Sequence, residues 1–99
     1  MPGNKYVNSV KASDDIKAIA KYTIDKFGES QSLKYAQGFK NILNELGDNP
    51  ELGRRYLAIK DKMVFRYRYM AHVIFYYKIQ DQIFIVRVLG GKMDYKRHL

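Results

Sequence analysis

The chain has 99 residues, of which 46% are hydrophobic and 28% charged, and no cysteine. This composition fits one globular domain over residues 1–99 and excludes a disulfide framework or a cysteine–zinc site. The net charge of +8 is segregated, because residues 1–53 carry seven lysines and seven acidic residues, whereas residues 54–99 carry eleven basic and three acidic residues. The basic half favours nucleic acid or an acidic protein segment as a partner, although a solvated basic face gives the same pattern.

The beginning of the chain predicts a short strand followed by a helix. Residues 6–10 alternate in polarity and indicate a strand at a sheet edge. Ser13 is predicted to cap the helix, with Asp14 and Asp15 in the first turn near the positive end of its dipole. Gly28 is predicted to end the helix. Its apolar stripe comprises Ile16, Ile19, Ala20, Thr23 and Phe27.

A second helix follows almost at once. Ser30 is predicted to cap it and Gly47 to end it. Its apolar face comprises Leu33, Ala36, Phe39, Ile42, Leu43 and Leu46. Because about two residues join the two helices, we expect an antiparallel helical hairpin over residues 13–47.

The basic half predicts an antiparallel sheet over residues 54–89. The four strands are expected at residues 54–59, 63–69, 72–79 and 83–89, in runs rich in β-branched and aromatic residues. Alternation places Phe65 and Tyr67 on one face of the sheet, and Arg66 and Arg68 on the other. In the last strand Phe84, Val86 and Val88 are expected to alternate against Ile83, Ile85, Arg87 and Leu89.

The order of elements, β-α-α-β-β-β-β, predicts an α+β fold in which the hairpin packs on one face of the sheet. The sheet is apolar on both faces, so other elements must cover it, and the two helices are available to cover one face. Residues 90–99 form a basic tail that leaves the last strand through Gly90 and Gly91.

Few residues offer chemistry of their own. The four serines lie at the first strand or at helix starts, where Ser13 and Ser30 are explained as caps. His72 and His98 are the two histidines, and neither has carboxylates near it at ligand spacing. We therefore expect no catalytic nucleophile, no metal and no cofactor.

The remaining enzymatic hypothesis is acid–base cleavage of RNA. It requires a base, an acid and a cationic group to meet at one 2′-hydroxyl and its phosphate. The candidate residues are Arg66, Arg68, His72, Arg87 and Tyr95. The alternative is that the arginines face solvent or an acidic partner, and the sequence favours this alternative because the register of His72 is not fixed.

The aromatic residues are open to three interpretations. Nine tyrosines and five phenylalanines resemble a platform for stacking bases, the core beneath two helices, or a protein interface enriched in tyrosine and arginine. A nucleic-acid-binding module fits the charge, but it fits a sheet covered by helices less well.

Several motifs, in their order along the chain, resemble ParE toxins of the ParE/RelE superfamily, the toxic partners of bacterial type II toxin–antitoxin modules. The similarity covers nearly the whole chain. It rests on residues 13–22, 27–35, 49–54 (Asn-Pro-Glu-Leu-Gly-Arg), 72–76, 85–89 and 91–99, of which the last, beginning Gly-Lys-Met-Asp, is the most characteristic. One departure is Gly90, where this family commonly has a histidine.

The resemblance implies a toxin that poisons DNA gyrase by binding, through its A subunit, rather than an enzyme. It also implies a ParD-like antitoxin whose acidic C-terminal segment folds on the toxin, and a role in plasmid stabilisation. The alternative within the superfamily is a RelE-like ribosome-dependent mRNA endonuclease. Neither membrane association nor sequence-specific DNA binding is expected. With no charged leader and no apolar run of about 20 residues in the sequence, we expect a cytoplasmic protein.

Two surfaces are assigned from these expectations. Antitoxin-binding residues are predicted to be Arg54, Arg66, Arg68 and Arg87, because an acidic segment needs the unbalanced charge. The element directed at gyrase is predicted to be the tail, through Lys92, Met93, Asp94, Tyr95, Arg97, His98 and Leu99. The alternative for the tail is a structural one, in which Met93 and Leu99 pack against the sheet edge.

Overall fold

The computed structural model describes residues 5–99 and has the predicted order of elements. The elements are β1 (Tyr6–Asn8), α1 (Val10–Phe27), α2 (Glu29–Asp48), β2 (Arg54–Ile59), β3 (Lys62–Tyr69), β4 (His72–Ile79), β5 (Gln82–Gly90) and α3 (Tyr95–His98), with a 3-10 turn at Pro50–Leu52 before β2. Within residues 5–99, no helix is long and apolar enough to cross a membrane. The α+β prediction is confirmed, and the tail adds a short third helix.

The five strands form one mixed sheet in the order β1-β5-β4-β3-β2. The three pairs β2–β3, β3–β4 and β4–β5 are antiparallel, as the runs of β-branched and aromatic residues predict. Strand β1 lies at an edge, as expected, but it pairs parallel to β5, with Tyr6 opposite Ile83 and Asn8 opposite Ile85. The first strand is therefore bound to the last one, and β5 receives contacts from both ends of the chain.

Each face of the sheet has its own apolar cluster. The hairpin of α1 and α2 covers one face, which we call the hairpin face, and buries Phe39, Leu43 and Leu46 against Ile74 and Tyr76. On the opposite face, the tail face, Tyr95 and Leu99 pack against a smaller cluster. That cluster contains Val64, Val73, Phe75 and Leu89. The second cover that the doubly apolar sheet requires is thus supplied by the tail.

The prediction that Ser13 caps α1 is wrong. The cap is Ser9, whose hydroxyl accepts a hydrogen bond from the Ala12 backbone N–H at 2.9 Å and donates one to the Val86 carbonyl at 2.8 Å. Ser13 lies one turn inside the helix, where its backbone N–H donates to the Ser9 carbonyl. Both serines satisfy the local capping rule, and the contact with Val86 decides between them.

Helix α2 also differs from the prediction at both ends, because it starts two residues earlier and ends one residue later than expected. It begins directly after Gly28, whose φ of 89° lets the chain turn without a capping side chain, so Ser30 is not a cap. It ends at Asp48 rather than at Gly47. Near the hairpin tip, Phe27 and Leu33 are exposed instead of contributing to the apolar face.

Two β-bulges alter the predicted alternation of side chains. In β5, Ile85 pairs with Tyr76 and Arg87 with Phe75, so Val86 is an extra residue. Val88 consequently joins the hairpin face together with Ile83 and Ile85, whereas Val86 packs on the tail face. The strict alternation predicted for this strand is therefore wrong beyond Ile85. The second bulge, in β2, lies at Tyr56, between Arg55 and Leu57.

Candidate functional site

The tail face carries a basic groove beside the small apolar cluster. We call it the arginine groove. Its volume is about 490 Å³, and it is lined by Leu52, Arg54, Arg66, Tyr67, Arg68, Val73 and Tyr95. Three of the four arginines predicted to bind an acidic segment thus come together here, and the fourth, Arg87, is not among the lining residues.

The three arginines are placed by strand register. Arg54 of β2 pairs directly with Arg66 of β3, and Arg68 follows on the same face of β3, about 7 Å along the strand at 3.4 Å per residue. Like charges directly opposite one another destabilise a sheet. Within residues 5–99, no carboxylate forms an ion pair with any of the three. The groove therefore concentrates positive charge that the described part of the chain leaves uncompensated.

Aromatic rings hold part of this groove in place. The Arg66 guanidinium lies over the Tyr56 ring at 5.4 Å from its centroid. Tyr56 in turn contacts Phe75, and Phe75 contacts Tyr95 with ring centroids 4.9 Å apart. Tyr56 is not identified as a neighbour of Arg66 from the sequence, because this contact depends on the pairing of β2 with β3.

Arg68 lies at the end of the groove nearest the tail. Its Nε donates to the Met70 carbonyl at 3.0 Å. Its guanidinium passes close over Gly91, where an added Cβ would meet both terminal nitrogens at 2.8 Å. A glycine at this position therefore lets the Arg68 guanidinium lie against the backbone of the turn.

Arg87 is held in a separate ion pair. Its Nε and Nη2 each donate to Asp15 of α1 at 2.8 Å, and both side chains are about 15% exposed. Asp15 also accepts from the Val88 backbone N–H, while Arg87 Nη1 donates to the His98 carbonyl at 3.1 Å. The hydrogen bonds that Arg87 donates to Asp15 raise the pKa of Arg87. Its guanidinium thus joins α1, β5 and the tail, and Asp15 is a partner of Arg87 rather than a residue placed for the helix dipole.

The candidate catalytic set is divided between the two faces. His72 lies on the hairpin face, where its Nδ1 is 2.7 Å from the Tyr35 hydroxyl. Burial, together with the positive charge of Arg68, lowers the pKa of His72, and burial raises that of Tyr35 to about 12. Arg66, Arg68 and Tyr95 line the arginine groove instead. His72 shares a second cleft with Arg87 beside α1.

The tail is folded against the sheet rather than released from it. The Tyr95 hydroxyl donates to the Gly91 carbonyl at 2.8 Å, and Leu99 packs on the tail-face cluster. The tail therefore does not simply leave the last strand through Gly90 and Gly91; Leu99 packs on the sheet as the structural alternative expects, whereas Met93 is exposed. Lys92, Met93, Asp94 and Arg97 remain exposed, whereas Tyr95, His98 and Leu99 are half-buried.

Gly90 pairs directly with His72 across β4 and β5. A Cβ at this position would meet the Met93 side chain at 3.6 Å, which is an ordinary contact. Glycine is therefore not required by packing here, and the histidine common in the resembling family has room for its Cβ. Among residues 5–99 there is no group of three or more side chains that would hold a metal ion.

The fold and this groove define a small basic α+β protein with a surface suited to an anionic partner. Comparison with known proteins gives the family. The family model for the "ParE toxin of type II toxin-antitoxin system, parDE" matches residues 6–95, and the chain therefore belongs to the ParE toxin family.

Solved structures agree with this fold. A chain described as "Chromosomal ParDE TA system from P. aeruginosa" matches with a TM-score of 0.68 and 17% sequence identity, covering 86% of this chain and 92% of the other. At this identity, the likeness supports the fold alone. A comparison with curated proteins gave no significant match.

Proposed function

We propose that this chain is a toxin that poisons DNA gyrase by binding it and that a ParD-like antitoxin neutralises it. Membership of the ParE toxin family is the observation that carries this proposal. The arrangement of side chains agrees with binding rather than RNA cleavage, since His72 and Arg87 are engaged away from the arginine groove. Action on gyrase places the toxin in the cytoplasm.

The test is a supercoiling and DNA-cleavage reaction with purified gyrase and this protein, run beside a cell-free translation reaction. We expect cleaved linear DNA to accumulate while translation continues. Cleavage of mRNA on the ribosome with gyrase unaffected would contradict the proposal. That result would favour the RelE-like alternative, for which Arg66, Arg68 and Tyr95 in one groove are the structural support.

A toxin inactive in both reactions would also contradict the proposed activity. Gly90→His is then the informative variant, because the Cβ has room and the substitution restores the residue common in the resembling family. Recovery of gyrase poisoning by this variant would locate the defect at Gly90.

We propose that the exposed side of the tail is the part that meets gyrase, with Lys92, Met93, Asp94 and Arg97 as contacts and with Tyr95, His98 and Leu99 holding the tail on the sheet. Deleting residues 97–99 would remove the proposed gyrase contact Arg97 together with His98 and Leu99, which hold the tail on the sheet. The double variant Lys92→Ala/Arg97→Ala changes only exposed side chains. We expect it to need at least about tenfold more protein for the same gyrase cleavage, the equivalent of about 1.4 kcal/mol of binding.

The matched control is Lys17→Ala/Lys21→Ala, which removes the same charge from exposed positions on α1. Equal loss in both variants would show that net charge, and not the tail, governs gyrase poisoning. Unfolding curves for both variants exclude a loss of fold as the cause.

We propose that the acidic segment of the antitoxin binds the arginine groove through Arg54, Arg66 and Arg68. Arg87, predicted with them, already donates to Asp15 and is better assigned to holding the fold. Titration of an antitoxin series in which acidic residues are replaced by alanine should show falling affinity, and added salt should weaken the complex. Affinity that is insensitive to both charge and salt would exclude this electrostatic contact.

A further inference from the structure

We infer that the arginine groove is also a binding site for the phosphodiester backbone of nucleic acid, so that this toxin contacts nucleic acid directly when its antitoxin is absent. The inference rests on the proposed function only in that the antitoxin would occupy the same groove. Binding to nucleic acid itself requires neither gyrase nor antitoxin.

The first support is the nature of the cations. The chain has twelve lysines and six arginines, yet all the basic residues that line the groove are arginines. A guanidinium offers a planar set of donors that binds two oxygens of one phosphate, whereas an ammonium acts as a point charge. The groove is therefore built from the side chain best suited to phosphate.

The second support is the spacing of these cations. Arg66 and Arg68 follow one another along β3, and Arg54 lies across from Arg66 on β2. Such a row suits an extended polyanion whose charges repeat along a chain. An anion between Arg54 and Arg66 would also remove the like-charge repulsion of that directly opposed pair.

The third support is that the sheet is open where these arginines lie. A sheet face that is covered by helices is not accessible to nucleic acid, but α1 and α2 cover only the hairpin face. The tail covers the apolar cluster on the other face through Tyr95 and Leu99, and the groove remains open beside it with a volume of about 490 Å³. Two tyrosines, Tyr67 and Tyr95, contribute to its walls.

The structure indicates contact with the backbone and not base recognition. The Tyr56 ring is occupied by the Arg66 guanidinium and is not free to stack on a base, and the lining residues include no asparagine or glutamine to read adenine. Binding should therefore depend on phosphate charge and be independent of sequence.

The experiment is fluorescence anisotropy of the full-length toxin, without antitoxin, with three labelled probes of equal length: duplex DNA, single-stranded DNA and single-stranded RNA. For duplex DNA, three arginine–phosphate contacts predict that log K falls against log salt concentration with a slope of about −2.7. Each single Arg→Ala change at positions 54, 66 and 68 should make the slope less steep by about 1. The three probes identify which nucleic acid fits the groove.

The matched control is Arg55→Ala. Arg55 has the same chemistry and neighbours Arg54 in β2, but it pairs with Phe65 of the hairpin face and does not line the groove. We expect this variant to bind each probe as the unchanged protein does. A loss equal to that of Arg54→Ala would show that general surface charge is responsible and would overturn the inference.

Competition distinguishes nucleic acid from an acidic protein segment. We expect polyglutamate to displace the bound probe. The triple Arg→Ala variant at positions 54, 66 and 68 should bind neither polyglutamate nor nucleic acid. If polyglutamate binds and none of the three probes does, the groove is a site for acidic peptide only and the inference fails. A negative result leaves the gyrase reaction unaffected, so the two proposals can fail separately.

Discussion

At the residue scale, the Asp15 carboxylate joins helix α1 to strand β5. It accepts two hydrogen bonds from Arg87 and one from the Val88 backbone, at 2.8 to 3.0 Å, in a setting that is largely buried. An Arg87 left without its partner would be a partly buried charge, and losing such contacts costs far more than losing a surface ion pair.

We therefore expect Asp15→Asn to lower the free energy of unfolding by about 2–3 kcal/mol, measured by urea denaturation. The control is Asp14→Asn, since Asp14 is exposed on the same helix and its replacement should change stability by less than about 0.5 kcal/mol. Equal effects of the two substitutions would show that both carboxylates act through the helix dipole, as the sequence alone suggests.

His72 gives the protein a pH dependence of a defined sign. Burial and the charge of Arg68 lower its pKa, and its neutral ring can accept the hydrogen bond of the Tyr35 hydroxyl through Nδ1. Because the folded state binds this proton less readily than the unfolded state, its contribution to stability is present above about pH 6.5 and is lost as the pH falls below that value.

Urea midpoints at pH 7.5, 6.5 and 5.5 test this expectation. The unchanged protein should lose stability toward pH 5.5, and His72→Asn, which keeps an acceptor for Tyr35, should lose less over the same interval. His98→Asn should retain the original pH dependence, because it leaves the hydrogen bond between Tyr35 and His72 in place. Identical pH profiles for the unchanged protein and His72→Asn would argue against His72 as the titrating group.

At the scale of elements, the strands follow from composition more directly than the helix ends do. The runs of β-branched and aromatic residues between residues 54 and 90 specify four strands and their turns, and the apolar spacing specifies the hairpin. Cap positions and bulges depend on contacts between distant parts of the chain. The Ser9 hydroxyl donates to a carbonyl 77 residues away, and this contact, which favours Ser9 over Ser13 as the cap, cannot be predicted from the local sequence.

The same limit explains what could be predicted of the site. Alternation along β3 correctly places Arg66 and Arg68 together, and the pairing of β2 with β3 adds Arg54. The unbalanced charge alone includes Arg87 in this set, and its ion pair with Asp15 separates it from the other three arginines. Charge counting thus identified the basic half of the molecule, but only tertiary contacts separate a free arginine from a paired one.

The Ser9 cap can be tested against the cap that the sequence suggests. Ser9→Ala removes both the bond from the Ala12 N–H and the bond to Val86, and we expect it to cost about 1–2 kcal/mol of stability. Ser13→Ala should change the free energy of unfolding by less than about 0.5 kcal/mol, because Ser13 is inside the helix. Urea denaturation of the two variants decides; a larger loss for Ser13→Ala would show that α1 begins at residue 13.

At the scale of the whole molecule, one sheet separates two unequal layers. The hairpin face has a large cluster with two long helices, whereas the tail face has four buried residues covered by a short helix and a few rings. The free energy for opening a region locally depends on how much apolar surface it buries. The tail layer is therefore the part that should open first.

Native-state hydrogen exchange measures this difference. The tail amides of Arg97 and Leu99, which bond to Asp94 and Tyr95, should exchange through local opening at a lower free energy than the amides between β4 and β5. Tyr95→Ala should lower the value for the tail further while leaving the strands nearly unchanged. Exchange of the tail and the strands at one common free energy would show that the two layers open together.

The position of β5 has a consequence for how the chain is made. Strand β1, the Ser9 cap and Asp15 all bind β5, so these elements lack their partners until β5 has been synthesised. Pairing over such a separation in sequence is slow and cannot begin earlier. The sheet therefore cannot be completed before β5 has been synthesised, and a chain that stops short of β5 lacks the strand that β1, Ser9 and Asp15 contact.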